Sequence, residues 1–164
     1  MHIDRMERYW LIAIAAMLGA FLAALAASFA IFGIKLPAPV SRIDPQNLSQ
    51  TEFAQPSIRN VGGNQYEVYI VAQMWNYNAG PEAGTAGAPP TIHLPVGSHV
   101  TFYVTSKDVI HGFYVEGHAV NLEIVPGQVA RGSATFNRAG TFKIVCDQYC
   151  GAGHQGMYGT IIVE

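Results

Sequence analysis

Cys146 to Met157 reads CDQYCGAGHQGM and holds both cysteines of the chain, four residues apart, with His154 four residues on and Met157 three beyond that. Two thiolates, an imidazole and a thioether form a soft donor set, the kind that selects copper over hard cations. A second imidazole would complete it. His111, in DVIHGF, is the best-placed donor, because it lies on a different expected strand from the one that leads into the cluster. Three simpler chemistries compete. A structural disulfide is common in exported domains, but a bridge across so few residues closes a very small ring and stabilises little. A single zinc would take two Cys and two His and leave Met157 idle. A mononuclear copper site needs one thiolate, so the second argues against it. Two copper ions bridged by two thiolates use every donor.

Such a site needs strands to bring its two halves together, and turn signals divide the second half of the chain accordingly. Tyr66, Val68 and Ile70 alternate with Gln65, Glu67, Tyr69 and Val71, a strand with one face buried. Further short strands are expected at Thr91–Leu94, His99–Thr105, His111–Val115, Leu122–Val125, Ala134–Phe136, Thr141–Val145 and Thr160–Val163. Pro95-Val96-Gly97, Pro126-Gly127 and Ala139-Gly140 punctuate them. Short strands at this spacing, without helical period, indicate an antiparallel sandwich or barrel. Ala79 to Pro90, AGPEAGTAGAPP, breaks the rhythm. It reads either as an inert surface insertion or as part of a docking surface beside Trp75 and Tyr77.

The first part of the chain is different. From Tyr9 to Ile34 there is no Asp, Glu, Lys, Arg or His in 26 residues, which at ~1.5 Å per residue exceeds the ~30 Å hydrocarbon core of a bilayer. A secretory signal has a shorter apolar region, roughly 7–15 residues, so a retained anchor is the better reading. Tyr9 and Trp10 stand where an interfacial aromatic belt places such side chains. Arg5 and Arg8 precede the span and Lys35 follows it, which orients the N-terminus to the cytoplasm and the remainder outward. Alanines such as Ala13, Ala16, Ala20, Ala23, Ala24 and Ala27 would allow close packing on a membrane partner. The expected organisation is an N-terminal segment and anchor over 1–35, a proline-containing linker over 36–60, and a β domain over 61–164.

Half of the 164 residues are hydrophobic, 12% are charged and the net charge is −2, so there is no electrostatic footprint for nucleic acid. Repeats, phosphate-binding loops and nucleophile motifs are missing from the sequence, as is a C-x-x-C-H haem-attachment motif. After Lys35 the chain has six basic and nine acidic residues, thinly spread, so docking of a redox partner is expected to depend only weakly on salt.

The pairing of DVIHGF with CDQYCGAGHQGM resembles the dinuclear copper (CuA) domain of subunit II of haem–copper oxidases, and the anchor and strand series extend the resemblance over nearly the whole chain. One anchor helix, and Gln148 where the larger A-type subunits carry Glu, resemble the B-type oxidases in particular. The resemblance implies a cupredoxin-like Greek-key sandwich with one N-terminal transmembrane helix. It implies Cys146 and Cys150 bridging two coppers, His111 and His154 binding one each, and Met157 and the carbonyl of Gln148 as weak ligands. No magnesium ligand is expected here, since Gln148 lacks the carboxylate. By the same resemblance the chain would accept electrons from a c-type cytochrome or small copper protein. It would pass them to haem in a separate catalytic subunit I in the membrane, for oxygen reduction coupled to proton translocation.

Trp75 or Tyr77 would lie where the donor docks; both also fit as core aromatics. Glu7, just before the helix, matches a carboxylate at the mouth of a proton channel in B-type oxidases, and equally fits a solvated headgroup-level charge. His118 is expected near the site without binding metal, and His93 and His99 are expected to be exposed. Two other functions would share these motifs. A nitric oxide reductase of the same superfamily has the same copper domain. A membrane-tethered copper-delivery protein would instead favour exposed, exchangeable ligands.

Overall fold

The apolar segment folds as a helix. A computed structural model of the chain, which describes residues 4–32, 39–85 and 87–164, has α1 over Arg5–Phe32. It is the one helix among the described residues that is long and apolar enough to cross a membrane. Lys35, the end of the expected span and the start of the expected linker lie outside the described residues.

A second compact unit, Pro39–Glu164, contains, among the described residues, eleven strands: β1 (Ser41–Arg42), β2 (Ser57–Gly62), β3 (Gln65–Gln73), β4 (Asn76–Asn78), β5 (Thr91–Leu94), β6 (Ser98–Ser106), β7 (His111–Val115), β8 (Val120–Ile124), β9 (Gln128–Phe136), β10 (Gly140–Val145) and β11 (Tyr158–Val163). One sheet has the order β1-β9-β6-β3-β2, with β4 on β3, and the other β5-β11-β10-β7-β8. This is the cupredoxin-like sandwich that the resemblance implies. Between the sheets lie Val68, Ile70, Val100, Phe102, Val104, Phe113, Ile144 and Ile161, all fully buried.

The sheets are mixed rather than antiparallel. β3 runs parallel to β6, Gln65 opposite His99 and Ala72 opposite Ser106; β5 runs parallel to β11, Thr91 opposite Thr160. The crossover between β3 and β6 passes through β5 in the opposite sheet, a route that strand spacing alone does not reveal. The Ala79–Pro90 loop is more than an inert surface insertion, because Ala79 and Ala83 are buried in the main core.

The stretch read as a linker carries structure from Ser41 onward. β1 pairs with β9 and β2 with β3, and Phe53 is buried with Tyr69, Val71 and Val129, flanked by Ile43, Leu48 and Tyr103. The reason is that β3 and β6 are apolar on both faces. Val68, Ile70 and Ala72 enter the main core, while Tyr69, Val71 and Tyr103 need a separate cover. Tyr69 stacks on Tyr103 with ring centroids 4.9 Å apart, and the Arg59 guanidinium lies 4.3 Å above the Tyr69 ring.

Candidate metal centre

The sheet register brings the two halves of the cysteine–histidine set together. β7 and β10 are antiparallel, Val145 opposite Tyr114 and Ile144 opposite Val115, so the start of β7 at His111 lies beside the end of β10, where Cys146 begins the loop. β10 and β11 are also paired, Val145 opposite Tyr158, and the Cys146 amide donates to the Met157 carbonyl at 3.2 Å. The twelve-residue stretch from Cys146 to Met157 is thereby pinned at both ends, over the edge of the sandwich.

The donors converge. Cys146 Sγ and Cys150 Sγ are 3.6 Å apart as free thiols. Cys150 Sγ is 3.6 Å from His154 Nδ1 and 3.8 Å from Met157 Sδ. Cys146 Sγ is 3.2 Å from the Gln148 carbonyl oxygen and accepts from the Gly112 amide at 3.4 Å. His111, Cys146 and Cys150 place one donor atom each within 4.8 Å of one another. His111 and Met157 are fully buried, both cysteines nearly so, and His154 is half-buried. His111 Nε2 pairs with Asp108 at 2.9 Å. Its Nδ1 is the one buried side-chain polar atom without a partner among the described residues. An orphaned imidazole nitrogen inside a soft donor set fits a thiophilic metal, because leaving it unpaired would otherwise carry a desolvation cost of about 1–3 kcal/mol.

The electrostatics separate the two thiols. Burial opposes ionisation of Cys146, but the adjacent His111 ring and the hydrogen bond from the Gly112 amide, among others, outweigh it and bring its pKa down to about 6. Burial, and then the hydrogen bond and charge of Cys146, push Cys150 up to about 12. For His111, burial works against the charged ring, yet the neighbouring Cys146 sulfur and the Asp108 carboxylate hold its pKa above the ordinary value. In the metal-free protein, thiolate absorbance near 240 nm is therefore expected to rise in two separated steps. One thiolate should form around pH 6 and the second only in strong alkali. A single step from both thiols near the ordinary cysteine value would contradict this picture.

Trp75, in the turn between β3 and β4, and Tyr77, two residues on within β4, part company. Trp75 is 43% exposed. Its Nε1 donates to the Cys150 carbonyl at 3.0 Å, and its ring lies on the ligand loop. A Cβ on Gly153 would stand 2.5 Å from the indole, and one on Gly151 3.3 Å. Tyr77 is 1% exposed and offers no surface to a docking protein. Its hydroxyl donates to the Gly112 carbonyl and its ring meets Phe113 edge-on, so it supports the strand that begins with His111. Replacing Tyr77 by Phe leaves that carbonyl without its buried partner, and thermal or denaturant unfolding should register a loss of about 1–3 kcal/mol.

Other expectations resolve by position. His118 lies far from the cluster, against Phe136 and Phe142 with ring centroids 4.3 and 4.8 Å away. Phe142 sits near the start of β10, while Cys146 follows its end, so the chain has crossed the sandwich by the time it reaches His118. His93 is exposed and His99 partly so. Glu7 is exposed in the first turn of α1. Sequence reasoning passed over Asp108, the carboxylate that holds His111, because an acid before a strand resembles any turn residue.

Residues 58–164 match the family described as cytochrome c oxidase subunit II, periplasmic domain. Over 163 residues the chain is 39% identical to a cytochrome c oxidase subunit 2 of Thermus thermophilus, covering 96% of this chain and 91% of that protein. A second cytochrome c oxidase subunit 2 from Thermus thermophilus is 41% identical over 128 residues, 76% of this chain and 87% of that one. Among solved structures, a chain of a heme-copper terminal oxidase dimer superposes with a TM-score of 0.65 at 32% identity, covering 98% of this chain and all of that one. The periplasmic domain of subunit II of the Bradyrhizobium japonicum cytochrome oxidase superposes with a TM-score of 0.51 at 20% identity over 60% of this chain and 83% of that one, a likeness of fold.

Proposed function

The chain belongs to the cytochrome c oxidase subunit II family, and on that footing we propose that it is the membrane-anchored subunit through which electrons enter a haem–copper oxidase of the B type. Cys146, Cys150, His111 and His154 would hold a pair of copper ions, with Met157 and the Gln148 carbonyl as weaker donors. The observation that carries this reading is the convergence on two sulfurs 3.6 Å apart of a buried, unpartnered His111 Nδ1 and the Met157 thioether. When bound, a copper pair sharing two thiolates supplies a one-electron centre in which little bonding changes on reduction.

The protein's own part is to hold and shield. His111 and Met157 are sealed from water, and the Gly112 amide points a hydrogen bond at Cys146 Sγ. Such contacts to ligand atoms hold them in place and tune the metal. Trp75 spans the distance from solvent to the ligand loop, one face exposed and its N–H on the Cys150 carbonyl. With Met74, Ile110 and Tyr149, which are also exposed, it forms the apolar surface on which a c-type cytochrome or small copper protein docks. Electrons leave to haem in subunit I, where oxygen is reduced and protons are moved. The N-terminus is cytoplasmic, and Glu7 stands at the mouth of a proton channel. Burial of both thiols and His111 argues against copper delivery, which needs exchangeable ligands. Raising salt should slow oxidation of the donor only slightly; a steep loss of rate would mean that charge pairs, not apolar contact, govern docking.

The reading is tested on the full chain in detergent, loaded with copper. Two coppers per chain and an EPR spectrum with one unpaired electron spread over both are expected. One copper with a mononuclear signal, or zinc taken up in preference, would overturn it.

A further inference from the structure

Asp108 is not a donor to the cluster, yet it touches both the imidazole that faces it and the turn that covers it. Oδ1 pairs with His111 Nε2 at 2.9 Å and accepts from the Val109 amide at 2.7 Å. Oδ2 accepts from the Met74 amide at 2.7 Å. The carboxylate is itself held in a short turn, where its amide donates to Ser106 Oγ at 3.3 Å and that hydroxyl donates to the Val109 carbonyl.

An ionised carboxylate only accepts. The hydrogen of a neutral His111 ring therefore resides on Nε2, and the lone pair is left on Nδ1, the buried nitrogen without a partner. At the other end, Met74 precedes Trp75, whose N–H reaches the Cys150 carbonyl. Hydrogen bonds and short lengths of backbone thus connect His111, Asp108, Met74, Trp75 and Cys150 around the two sulfurs.

We propose that Asp108 is a positioning residue with two linked tasks: it fixes His111 as the Nε2–H tautomer with Nδ1 free for the metal, and it ties that imidazole to the turn that lays Trp75 over the ligand loop. This rests on the copper reading above. A carboxylate that merely formed its turn would be replaceable by asparagine, whose side-chain oxygen accepts the same local bond. Here both carboxylate oxygens accept, and asparagine has one acceptor oxygen. Asp108→Asn must lose either the His111 contact or the Met74 contact, or present an N–H to the ring nitrogen that should be donating.

The experiment compares wild type and Asp108→Asn as full chains in detergent, in a Trp10→Phe background, where Trp75 is the remaining tryptophan. Copper retention against a chelator should weaken roughly 10–100-fold, the usual effect of removing a metal ligand's hydrogen-bond partner. The histidine nitrogen couplings in the EPR spectrum should change, and Trp75 emission in the metal-free chain should shift to the red. Unchanged retention overturns the orienting role; altered retention with unchanged Trp75 emission overturns the link between the two. Should Asp108→Asn not fold, wild type decides: nitrogen shifts of the neutral His111 ring in the metal-free chain must show Nε2 protonated, and the opposite tautomer refutes the proposal. A wild-type chain that takes up no copper overturns the copper reading and this inference with it. Copper uptake by wild type with an indifferent Asp108→Asn overturns this inference alone.

Discussion

Cys150→Ser should abolish electron entry through the subunit, lowering donor-driven oxygen reduction by more than about a hundredfold. Cys150 Sγ is the hub of the donor set, within 3.6 Å of Cys146 Sγ and of His154 Nδ1 and 3.8 Å from Met157 Sδ. A hydroxyl at that position does not ionise near neutral pH and is a poor partner for a soft metal. Loss of an outer hydrogen-bond partner already costs about 10–100-fold in metal affinity or activity, and loss of a sulfur donor at the centre of the cluster should cost more. The measurement is turnover of the assembled oxidase together with copper per chain. The metal-free variant should melt close to wild type, because serine is no larger than cysteine and fills the same place. Turnover within tenfold of wild type, with two coppers still bound, would show that Cys150 does not bridge.

Gly112→Ala should be the most damaging small substitution near the site. A Cβ on Gly112 would stand 2.6 Å from the Asp147 amide nitrogen and 2.8 Å from that of Gln148, and would collide with the Asp147 carboxylate. The carboxylate can swing aside, but the two amides belong to the backbone between Cys146 and Cys150 and cannot rotate away. Either the loop lifts off β7 or the strand shifts, and both separate Cys146 from His111. Overpacking of this kind costs typically about 1–3 kcal/mol, occasionally more. Unfolding should show that loss, and copper content should fall with it. Gly156→Ala is the matched control, since nothing lies within 4 Å of a Cβ there. If the two variants bind copper and melt alike, the ligand loop is not seated on Gly112 in the way described.

The side chains that the structure brings together were legible because their chemistry is rare and mostly local. Cys146, Cys150, His154 and Met157 lie within twelve residues, and only His111 had to be found at a distance. The backbone that seats them was not legible. Nothing in the sequence marks Gly112 as a contact point, because a glycine at a strand's start reads like any other. The two aromatics near the site could not be told apart, since Trp75 and Tyr77 stand on either side of Asn76 in the sequence but differ sharply in exposure. Phe53 looked like one apolar residue in a polar linker, because its partners Tyr69 and Val71 seemed already accounted for by alternation on β3. His118 was misplaced for a similar reason: proximity along the chain does not show that a strand runs away from the site it starts at.

The parallel pairing of β5 with β11 has a consequence for how the protein is made. Thr91 must find Thr160 across a long stretch of chain, and the loop holding the cysteines immediately precedes that strand. Non-local pairings of this kind slow folding, because loop entropy is lost before contacts reward it. Burial of the thiols in their final place is therefore expected to wait until β11 has docked between β5 and β10. Until then they behave as two ordinary cysteines on an open chain, and afterwards copper acts as a latch that stabilises the closed state by mass action. Amide protons in β10 and β11 should exchange faster in the metal-free protein than in the loaded one, and those of β3 and β6 should change least.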